Sequence, residues 1–349
     1  MVLQNRRELL GKFPDGRPTI LAVDGGASKV DVALLTRNGE LIGAARHSAY
    51  ANFGLGHLPP LEALEETIRL ACLDGGVDPS TRPLADVGVY CLAGADLPLD
   101  DKRITKQVKD TGWTAGTIVR NDTFAVMRAG SSRGWGVAVV CGSGLNCAGV
   151  GPDGRVVRFP SLGDLSGDRA DGGGWLGRAA LGSALRARDG RGPRTALEKL
   201  VPLHFRMTRP SAVMEALYVG RLQERRLLEL APVVFRAATG GDAVSRELIA
   251  NIADEVVVTA NAAIRRLKLA SRAFEVILGG GIFRSGDRRM LGRIRAGITD
   301  LAHRAEIVRL NAPPVVGAAL IGLDEAQTSK AAQGPLRKAL TEQRLKARR

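Results

Sequence analysis

The sequence predicts an α/β protein of two similar lobes, each with a mixed sheet and helices on both faces. Three observations favour this fold. The chain has 349 residues, more than one hydrophobic core usually fills. A strand pattern interrupted by glycines occurs twice, and helical and strand patterns alternate after each copy. The composition, 45% hydrophobic and 25% charged, excludes a disordered chain and a disulfide-stapled miniprotein.

The first copy of the pattern begins with an apolar strand at 20–23. A glycine-rich turn at 24–29 leads into a second strand at 30–35. Asn38-Gly39 then predicts a tight turn into a third strand at 40–46, because Asn-Gly between apolar runs is a strong hairpin signal.

The second copy repeats this order of elements. A strand at 136–141 meets a glycine turn at 142–144, and the chain returns as a strand at 145–150. Asp153-Gly154 predicts the next tight turn, into a strand at 155–159. Two patterns with similar internal spacing indicate a duplicated architecture.

The elements that follow the first copy alternate between helix and strand. Helical spacing of apolar residues predicts helices at 60–73 and 102–109 and a further helix from 123. Apolar runs predict strands at 87–92 and 117–120. This order is typical of a mixed sheet in an α/β domain.

The second copy is followed by a long helical region at 183–268. After it, the pattern predicts a strand at 276–278, a helix at 290–299, a strand at 306–310 and a helix at 316–326. We therefore expect four parts, which are an N-terminal extension at 1–18, an N-terminal lobe at 19–121, a C-terminal lobe with helical insertions at 122–327, and a basic tail at 328–349.

The formal charge of +14 raises the question of nucleic-acid binding. The tail holds seven basic residues and one acidic residue, so it contributes a large part of that charge. The chain has 40 arginines and 10 lysines, and no recognition helix or aromatic RNA-stacking signature accompanies them. We interpret the tail as a solvated basic segment and expect no nucleic-acid partner.

The sequence also gives expectations about membranes and thiols. No apolar run approaches the roughly 18 residues of a membrane helix, and residues 1–16 lack the apolar core of a secretory signal. We expect a cytoplasmic protein without a membrane span. The four cysteines form no C-x-x-C pair, which favours reduced thiols inside the core. They are Cys72, Cys91, Cys141 and Cys147.

The first glycine turn could bind phosphate. Gly25 and Gly26 would let backbone amides approach a polyphosphate, Asp24 could hold a hydrated magnesium ion, and Lys29 could add a cation. A glycine hairpin with a capping aspartate is the alternative. The turn lacks the spacing of a P-loop and of a Rossmann turn, so both of those nucleotide folds are disfavoured.

Two further glycine clusters have the same permissive backbone. Gly142-Ser143-Gly144 adds a hydroxyl that could donate to a terminal phosphate. Gly279-Gly280-Gly281 ends a predicted strand, where a flat ligand or a ribose could lie against the backbone. Each cluster taken alone is equally compatible with an ordinary tight turn.

Asp122 follows a predicted strand and precedes a predicted helix. Ligands of α/β sheets bind at the carboxyl ends of strands, so this carboxylate could accept a proton from a substrate hydroxyl. Asp is also a common helix N-cap, and the sequence alone leaves both interpretations open.

The ordered set of motifs resembles the BadF/BadG/BcrA/BcrD ATPase family, and within it the N-acetylglucosamine kinase branch. That family has the duplicated ribonuclease H-like fold of actin and hexokinase. The resemblance covers about 19–324. It rests on the following residues, in chain order: Asp24-Gly25-Gly26-Ala27-Ser28-Lys29, Asn52, Leu92-Ala93-Gly94-Ala95-Asp96, Asn121-Asp122, Gly142-Ser143-Gly144-Leu145-Asn146, Gly167-Asp168 and Gly279-Gly280-Gly281.

The resemblance implies a set of roles for these residues, with ATP and Mg²⁺ as cofactors. Asp122 matches the catalytic base, and Asp24 the residue near magnesium, which it would hold through water. The nucleotide and its phosphates would be bound by Asp24, Gly25, Gly26, Ser28, Lys29, Gly142, Ser143, Gly144, Gly279, Gly280 and Gly281. The sugar would be bound by Asn52, Gly94, Asp96, Asn146 and Asp168.

One segment departs from the family pattern. The residues after Gly167-Asp168 are one residue longer than is common in the family. Asp171 therefore could share or replace the role of Asp168 in contacting the sugar.

The resemblance thus implies an ATP-dependent kinase that phosphorylates a hydroxyl of N-acetylglucosamine, glucosamine or a related amino sugar. The hydroxyl expected to accept the phosphate is O6. The helical insertions would line the substrate site and offer a homodimer face. Two alternatives stay open from the sequence. One is an ATPase activator that passes electrons through an iron–sulfur cluster to a radical dehydratase or reductase, and the other is a non-catalytic sugar- or nucleotide-binding regulator.

Overall fold

The computed structural model describes residues 18–26, 29–48, 61–328 and 330–346. These residues form two compact units. The first contains the described residues up to Gly136 together with those from Leu310 onward, and the second is Val137–Arg309. The predicted extension at 1–18 therefore falls outside the described residues except for residue 18, and Ser28 and Asn52 also lie outside them.

The strands and helices follow the predicted order closely. The strands are β1 Ile20–Gly25, β2 Val30–Leu35, β3 Leu41–His47, β4 Ala85–Leu92, β5 Thr114–Asn121, β6 Gly136–Cys141, β7 Leu145–Val150, β8 Val156–Arg158, β9 Phe274–Gly279 and β10 Ala305–Arg309. The helices are α1 Leu61–Asp74, α2 Pro98–Asp110, α3 Asp122–Gly130, α4 Gly173–Asp189, α5 Leu197–His204, α6 Pro210–Tyr218, α7 Ala231–Thr239, α8 Ala243–Arg266, α9 Arg288–Leu301, α10 Val315–Glu325, α11 Gln333–Ala339 and α12 Glu342–Lys346. Short 3₁₀ helices occupy Gly163–Ser166, Glu224–Leu230, Ile282–Ser285 and Lys330–Ala332.

The two sheets have the same strand order, which confirms the predicted duplication. The first sheet is ordered β3-β2-β1-β4-β5, and the second β8-β7-β6-β9-β10. In the first sheet, β1, β4 and β5 are parallel, whereas β2 is antiparallel to both β1 and β3. In the second sheet, β6, β9 and β10 are parallel and β7 is antiparallel to β8.

Helices cover both faces of the first sheet because successive strand residues point to opposite faces. In β1, Leu21 and Val23 pack into one buried cluster with residues of α1 and α2. Ile20 and Ala22 pack into another with residues of α10. Both faces of the strand are apolar, as expected for a strand buried on two sides.

The second unit contains the long helical insertion that the sequence predicts. Helices α4 to α8 lie between β8 and β9 in the chain. The longest, α8, begins at an N-cap aspartate, Asp242, whose side chain accepts a hydrogen bond from the Ser245 N–H.

The observed division differs from the expected boundary at 121/122, because α3 and the segment from 310 belong to the first unit. Helix α10 packs on β1 and on α3. The approach to α3 is so close that a Cβ atom on Gly317 would overlap the carbonyl of Ala125. This contact ties both helices to the N-terminal sheet.

The interpretation of the C-terminal tail as a solvated segment is wrong for residues 330–346. Leu336, Leu340 and Leu345 are buried against the first sheet. Arg337 donates hydrogen bonds to the Arg128 and Ala129 carbonyls in the last turn of α3. The basic residues suggested a solvated segment, whereas the spacing of the leucines is typical of short helices with one apolar face.

Other expectations concern thiols, membranes and assembly. All four cysteines are free and buried, as predicted. In the described ranges, no helix combines the length and apolar character that crossing a bilayer requires. The homodimer stays a prediction.

Candidate functional site

The carboxyl ends of three parallel strands bring the predicted residues of the first unit to one sheet edge. In the ladder, Asp24 of β1 pairs with Cys91 of β4, which pairs with Arg120 of β5. Asp122 lies two residues beyond Arg120. Because neighbouring strands lie about 4.8 Å apart, the β1 and β5 backbones are roughly 10 Å apart at this level. Asp24 and Asp122 thus lie at the edge where α/β sheets bind ligands.

Asp24 is a buried carboxylate among other charges. Burial, above all, raises its pKa well above the ordinary value, and the charges of Asp31 and Asp122 act in the same direction. Lys29 and Arg46 lower it. A buried carboxylate close to other carboxylates is stabilised by a cation, so Asp24 fits a magnesium site.

Magnesium commonly uses one or two protein carboxylates and completes its shell with water and phosphate oxygens. Among the described residues, no group of three or more His, Cys, Asp or Glu side chains could hold a metal ion. Asp24 is a carboxylate of the kind that magnesium uses in such a shell.

Asp122 is the first residue of α3, and the preceding Asn121 is the N-cap. The Asn121 Oδ1 atom accepts hydrogen bonds from the Thr123 backbone N–H at 3.0 Å and the Thr123 hydroxyl at 2.6 Å. Burial raises the pKa of Asp122 to about 6, although backbone N–H groups at the helix start oppose the shift. Asp122 is thus a carboxylate that is ionised at neutral pH and close to the pKa that favours general-base catalysis.

The segment after β4 joins the same edge. The Ala93 N–H donates to the Gly25 carbonyl at 2.7 Å, and the Asn121 Nδ2 atom donates to Asp96 Oδ1 at 2.9 Å. Gly94 has φ of +84°, a conformation that favours glycine. Gly94 and Asp96 therefore lie close to the strand ends that carry Asp24 and Asp122.

The lysine of the first glycine turn forms an ion pair with a neighbouring strand. The Gly26 N–H donates to the Lys29 carbonyl at 2.9 Å. The Lys29 ammonium lies 2.6 Å from Asp31 Oδ2, and Asp31 is fully buried. Lys29 is thus held by a carboxylate of β2 beside the turn.

In the second unit, the turn at 142–144 is fixed by the start of α4. The Gly173 N–H donates to the Gly142 carbonyl and the Gly174 N–H donates to the Ser143 carbonyl, both at 2.8 Å. Gly172 has φ of +115°, and a Cβ atom there would lie 2.8 Å from the carbonyl carbon of Gly144.

The glycines at 172–174, which support the turn at 142–144, were not among the predicted site residues. The signal was a run of three glycines at the start of a helix, which is an unusual start for a helix and indicates a close backbone approach.

The third glycine cluster lies against the end of β6. Gly280 has φ of +102°, and a Cβ atom there would overlap the backbone of Cys141. The structure therefore brings 142–144, 172–174 and 279–281 together in the second unit.

The predicted sugar-binding residues of the second unit make local hydrogen bonds. Asn146 Oδ1 accepts from the Ser161 hydroxyl at 2.8 Å and from the Cys147 N–H at 2.7 Å. Asp168 Oδ2 accepts from the Ser166 hydroxyl at 2.5 Å.

Asp171 lies next to the glycine turn at 142–144. A Cβ atom on Gly144 would contact the Asp171 carbonyl, and the Asp171 charge raises the pKa of Cys141 further above the level set by burial. Burial also raises the pKa of Asp171 itself.

A cavity of about 420 Å³ opens elsewhere in the second unit, beside the start of α9. Its lining combines Ile249 and Met290 with Arg246 and Arg289. None of the predicted site residues lines it, so the cavity does not bear on the site at the strand ends.

Together, the duplicated sheets, the carboxylates at the edge of the first and the glycine turns of the second define a protein of the actin/hexokinase type. The chain belongs to the BadF/BadG/BcrA/BcrD ATPase family, whose model matches residues 21–322. The resemblance and the fold class predicted from sequence are thereby confirmed.

Similar proteins include named kinases. An N-acetyl-D-glucosamine kinase of Dictyostelium discoideum is 25% identical over 323 residues, which cover 87% of this chain and 97% of the relative. An N-acetylmuramic acid/N-acetylglucosamine kinase of Clostridium acetobutylicum is 24% identical, over 75% of this chain and 85% of the relative. A Chromobacterium violaceum protein of known structure, named as a candidate N-acetylglucosamine kinase, has a TM-score of 0.68 at 21% identity. That match covers 88% of this chain and 99% of the other.

Proposed function

We propose that this protein is an ATP- and magnesium-dependent kinase that phosphorylates a hydroxyl of an amino sugar, with O6 of N-acetylglucosamine as the first candidate. The observation that carries the proposal is the pair of carboxylates, Asp24 and Asp122, at the carboxyl ends of parallel strands in one sheet. The names of the similar kinases support the choice of an amino sugar.

Asp122 is proposed as the general base. Its carboxylate would accept the proton of the sugar hydroxyl while the hydroxyl oxygen attacks the γ-phosphorus of ATP. The bond from that phosphorus to the bridging oxygen breaks, and ADP leaves with the electron pair. A pKa of about 6 lets Asp122 be ionised before the reaction and accept the proton during it.

Asp24 is proposed to hold magnesium through a water molecule. When bound, magnesium neutralises charge on the phosphate oxygens. The backbone of Gly25 and Gly26, with Ser28 and Lys29, would bind the phosphates beside it.

The second unit is proposed to bind the terminal phosphate. The Gly142 N–H closes the turn by donating to the Gly144 carbonyl at 2.8 Å, so Gly142 and Gly144 would form the turn that lies against the terminal phosphate, and Ser143 would donate its hydroxyl to it. The start of α4 supports this turn through its hydrogen bonds. The cluster at 279–281 would contact the adenosine.

Sugar contacts are proposed for Asn52, Gly94, Asp96, Asn146 and Asp168, with Asp171 as the alternative to Asp168. Asp96 has the most support among them, because it accepts a hydrogen bond from Asn121, the residue directly before Asp122. A sugar held there would present a hydroxyl near Asp122.

Neither alternative function gains support from the structure. An iron–sulfur activator needs thiolates at a subunit surface, whereas Cys141 and Cys147 are fully buried and burial raises the pKa of both thiols. For a regulator without catalysis, we find no feature that favours it over a kinase.

A coupled assay of ADP release tests the proposal. The assay compares N-acetylglucosamine, glucosamine, N-acetylmuramic acid and glucose, each with and without magnesium, and NMR of the product identifies the phosphorylated oxygen. We expect magnesium-dependent turnover with an amino sugar and phosphate on O6. ADP release that no sugar stimulates, in a preparation that binds ATP, would contradict the kinase assignment.

A further inference from the structure

A row of alternating charges crosses the sheet of the first unit from the glycine turn to α12. Lys29 lies 2.6 Å from Asp31. Asp31 accepts two hydrogen bonds from Arg46, at 2.5 and 2.7 Å. The Arg46 Nη1 atom in turn lies 2.6 Å from Glu342 Oε2. We name Lys29, Asp31, Arg46 and Glu342 the ion-pair row.

The ion-pair row continues to Asp24 through the strand register. Asp24 of β1 pairs with Asp31 of β2, and Asp31 pairs with Arg46 of β3. Directly opposed residues of antiparallel strands share one face of a sheet. Asp24, the proposed magnesium carboxylate, therefore lies in line with Asp31 and Arg46 of the ion-pair row on one face of the sheet.

The alternation of negative and positive side chains in the ion-pair row matters because the row is largely buried. Asp31 is fully buried and the Arg46 side chain is only 13% exposed. Two buried carboxylates side by side repel each other unless a cation is held next to them. Arg46 supplies that cation, and its orientation is set by Asp31 on one side and Glu342 on the other.

Glu342 is presented by a helix with its own anchors. Leu345 is buried in the cluster on this face of the sheet. Arg344 forms an ion pair with Asp74, and the same Asp74 carboxylate accepts a hydrogen bond from the Ala44 N–H of β3. The family model matches residues 21–322, so this helix lies beyond the matched segment.

We propose that Glu342 is a positioning residue for Lys29, the last residue of the first glycine turn. It holds Arg46 against Asp31, Asp31 holds the Lys29 ammonium, and the Lys29 carbonyl accepts the hydrogen bond from the Gly26 N–H. The inference rests on the proposed function only where it assigns this turn to ATP.

Glu342→Ala tests the proposal in the full-length protein with two readouts. The first is hydrogen exchange of peptides spanning residues 24–31 without any ligand, which we expect to become about fivefold faster, the size expected when a partly exposed ion pair is lost. The second is steady-state kinetics, in which KM for ATP should rise about fivefold while kcat and KM for the sugar stay within about twofold.

Two further variants separate positioning from general destabilisation. Asp324→Ala removes another carboxylate of the first unit that binds an arginine through two hydrogen bonds, at 2.7 and 3.0 Å to Arg128. It should leave exchange at 24–31 unchanged. Glu342→Gln keeps an oxygen that can accept from Arg46, and its effects should fall between those of wild type and Glu342→Ala.

The outcomes distinguish the two proposals. Exchange at 24–31 that is equal in Glu342→Ala, Asp324→Ala and wild type would overturn the positioning role. A lower KM for ATP in Glu342→Ala would also overturn it, because that sign indicates relief of charge repulsion rather than loss of position. Faster exchange together with a wild-type protein that phosphorylates no sugar would support the positioning role and contradict the proposed function.

Discussion

The two sheets of this protein share a strand order but carry different chemistry at their edges. In the first sheet, β1 ends with Asp24 and Gly25, Gly26 follows, and Asp122 comes directly after β5. The second ends β6 with the buried Cys141, followed by Gly142 and Ser143. The first edge therefore carries carboxylates with raised pKa values, and the second carries a turn of small residues that ends in glycine.

This difference indicates that the two copies of the scaffold have edges suited to different chemistry. Carboxylates suit proton transfer and cation binding, whereas glycine turns suit anion binding because they let amides approach closely. The supports differ as well. The first glycine turn is braced by ion pairs, and the second by hydrogen bonds from the start of a helix.

Among the tests of this comparison between the two sheet edges, Asp122→Asn has the largest expected effect. We expect kcat to fall by about 10³-fold, because general-base catalysis is lost, while ATP binding is kept. Measured turnover within a few-fold of wild type would remove Asp122 from the role of base. Asp96→Asn serves as a milder control, since it changes a carboxylate of the same edge and leaves the base in place.

Asp122→Asn should also stabilise the fold at neutral pH. The folded-state pKa of about 6 lies above the ordinary 3.8, so the folded state binds more protons between these values. Its stability falls as pH rises from about 4 to 6 and stays lower above that. The neutral amide avoids the free-energy cost of burying an ionised carboxylate, which is up to about 3 kcal/mol. Urea unfolding at pH 7.5 and at pH 4 would measure this gain in stability.

Removal of residues 329–349 tests whether the C-terminal helices belong to the first unit. Loss of Leu336, Leu340 and Leu345 would uncover an apolar face, and we expect a destabilisation of about 5 kcal/mol from three leucines. Thermal unfolding measures the effect. An unchanged melting temperature would restore the interpretation of a solvated tail.

Gly172→Ala tests the backbone support of the second edge. Its φ of +115° and the nearby backbone of Gly144 predict a loss of about 2–3 kcal/mol, seen by urea unfolding. Gly182→Ala in the same helix meets no atom within 4 Å and should be neutral or stabilising by up to about 1 kcal/mol. Equal effects of both variants would contradict the close packing of the two turns.

The smallest effect concerns pH. Because Asp122 must be ionised to accept a proton, kcat/KM should fall about tenfold for each pH unit below the pKa of about 6. A pH–rate profile measures this. A profile that stays flat down to pH 5 would show that the base has a lower pKa or is another group.

The sequence was sufficient for the fold because its signals were local. Apolar runs separated by Asn38-Gly39 and Asp153-Gly154 predicted both hairpins, and the structure has them at nearly the same residues. The buried strands and α8 likewise have strong periodic patterns. The resemblance added the family, which the comparison with known proteins confirms.

Side-chain partners were harder to predict because they depend on contacts distant in the chain. Nothing near Lys29 in sequence indicated that Arg46 and Glu342 complete its ion-pair row. The cap of α3 was ambiguous as well, since Asn121 and Asp122 are both good N-cap residues. Only the backbone geometry assigns the cap to Asn121 and leaves Asp122 as the first helical residue.

The discontinuous first unit has a consequence for biosynthesis. The strands of its sheet precede residues 137–309 in the chain, whereas α10, α11 and α12, which cover one face of that sheet, follow them. Residues 137–309 are complete before them and form a unit of their own. During synthesis the sheet therefore lacks this cover until α10, α11 and α12 have been translated, and exposed apolar surface of this kind favours aggregation.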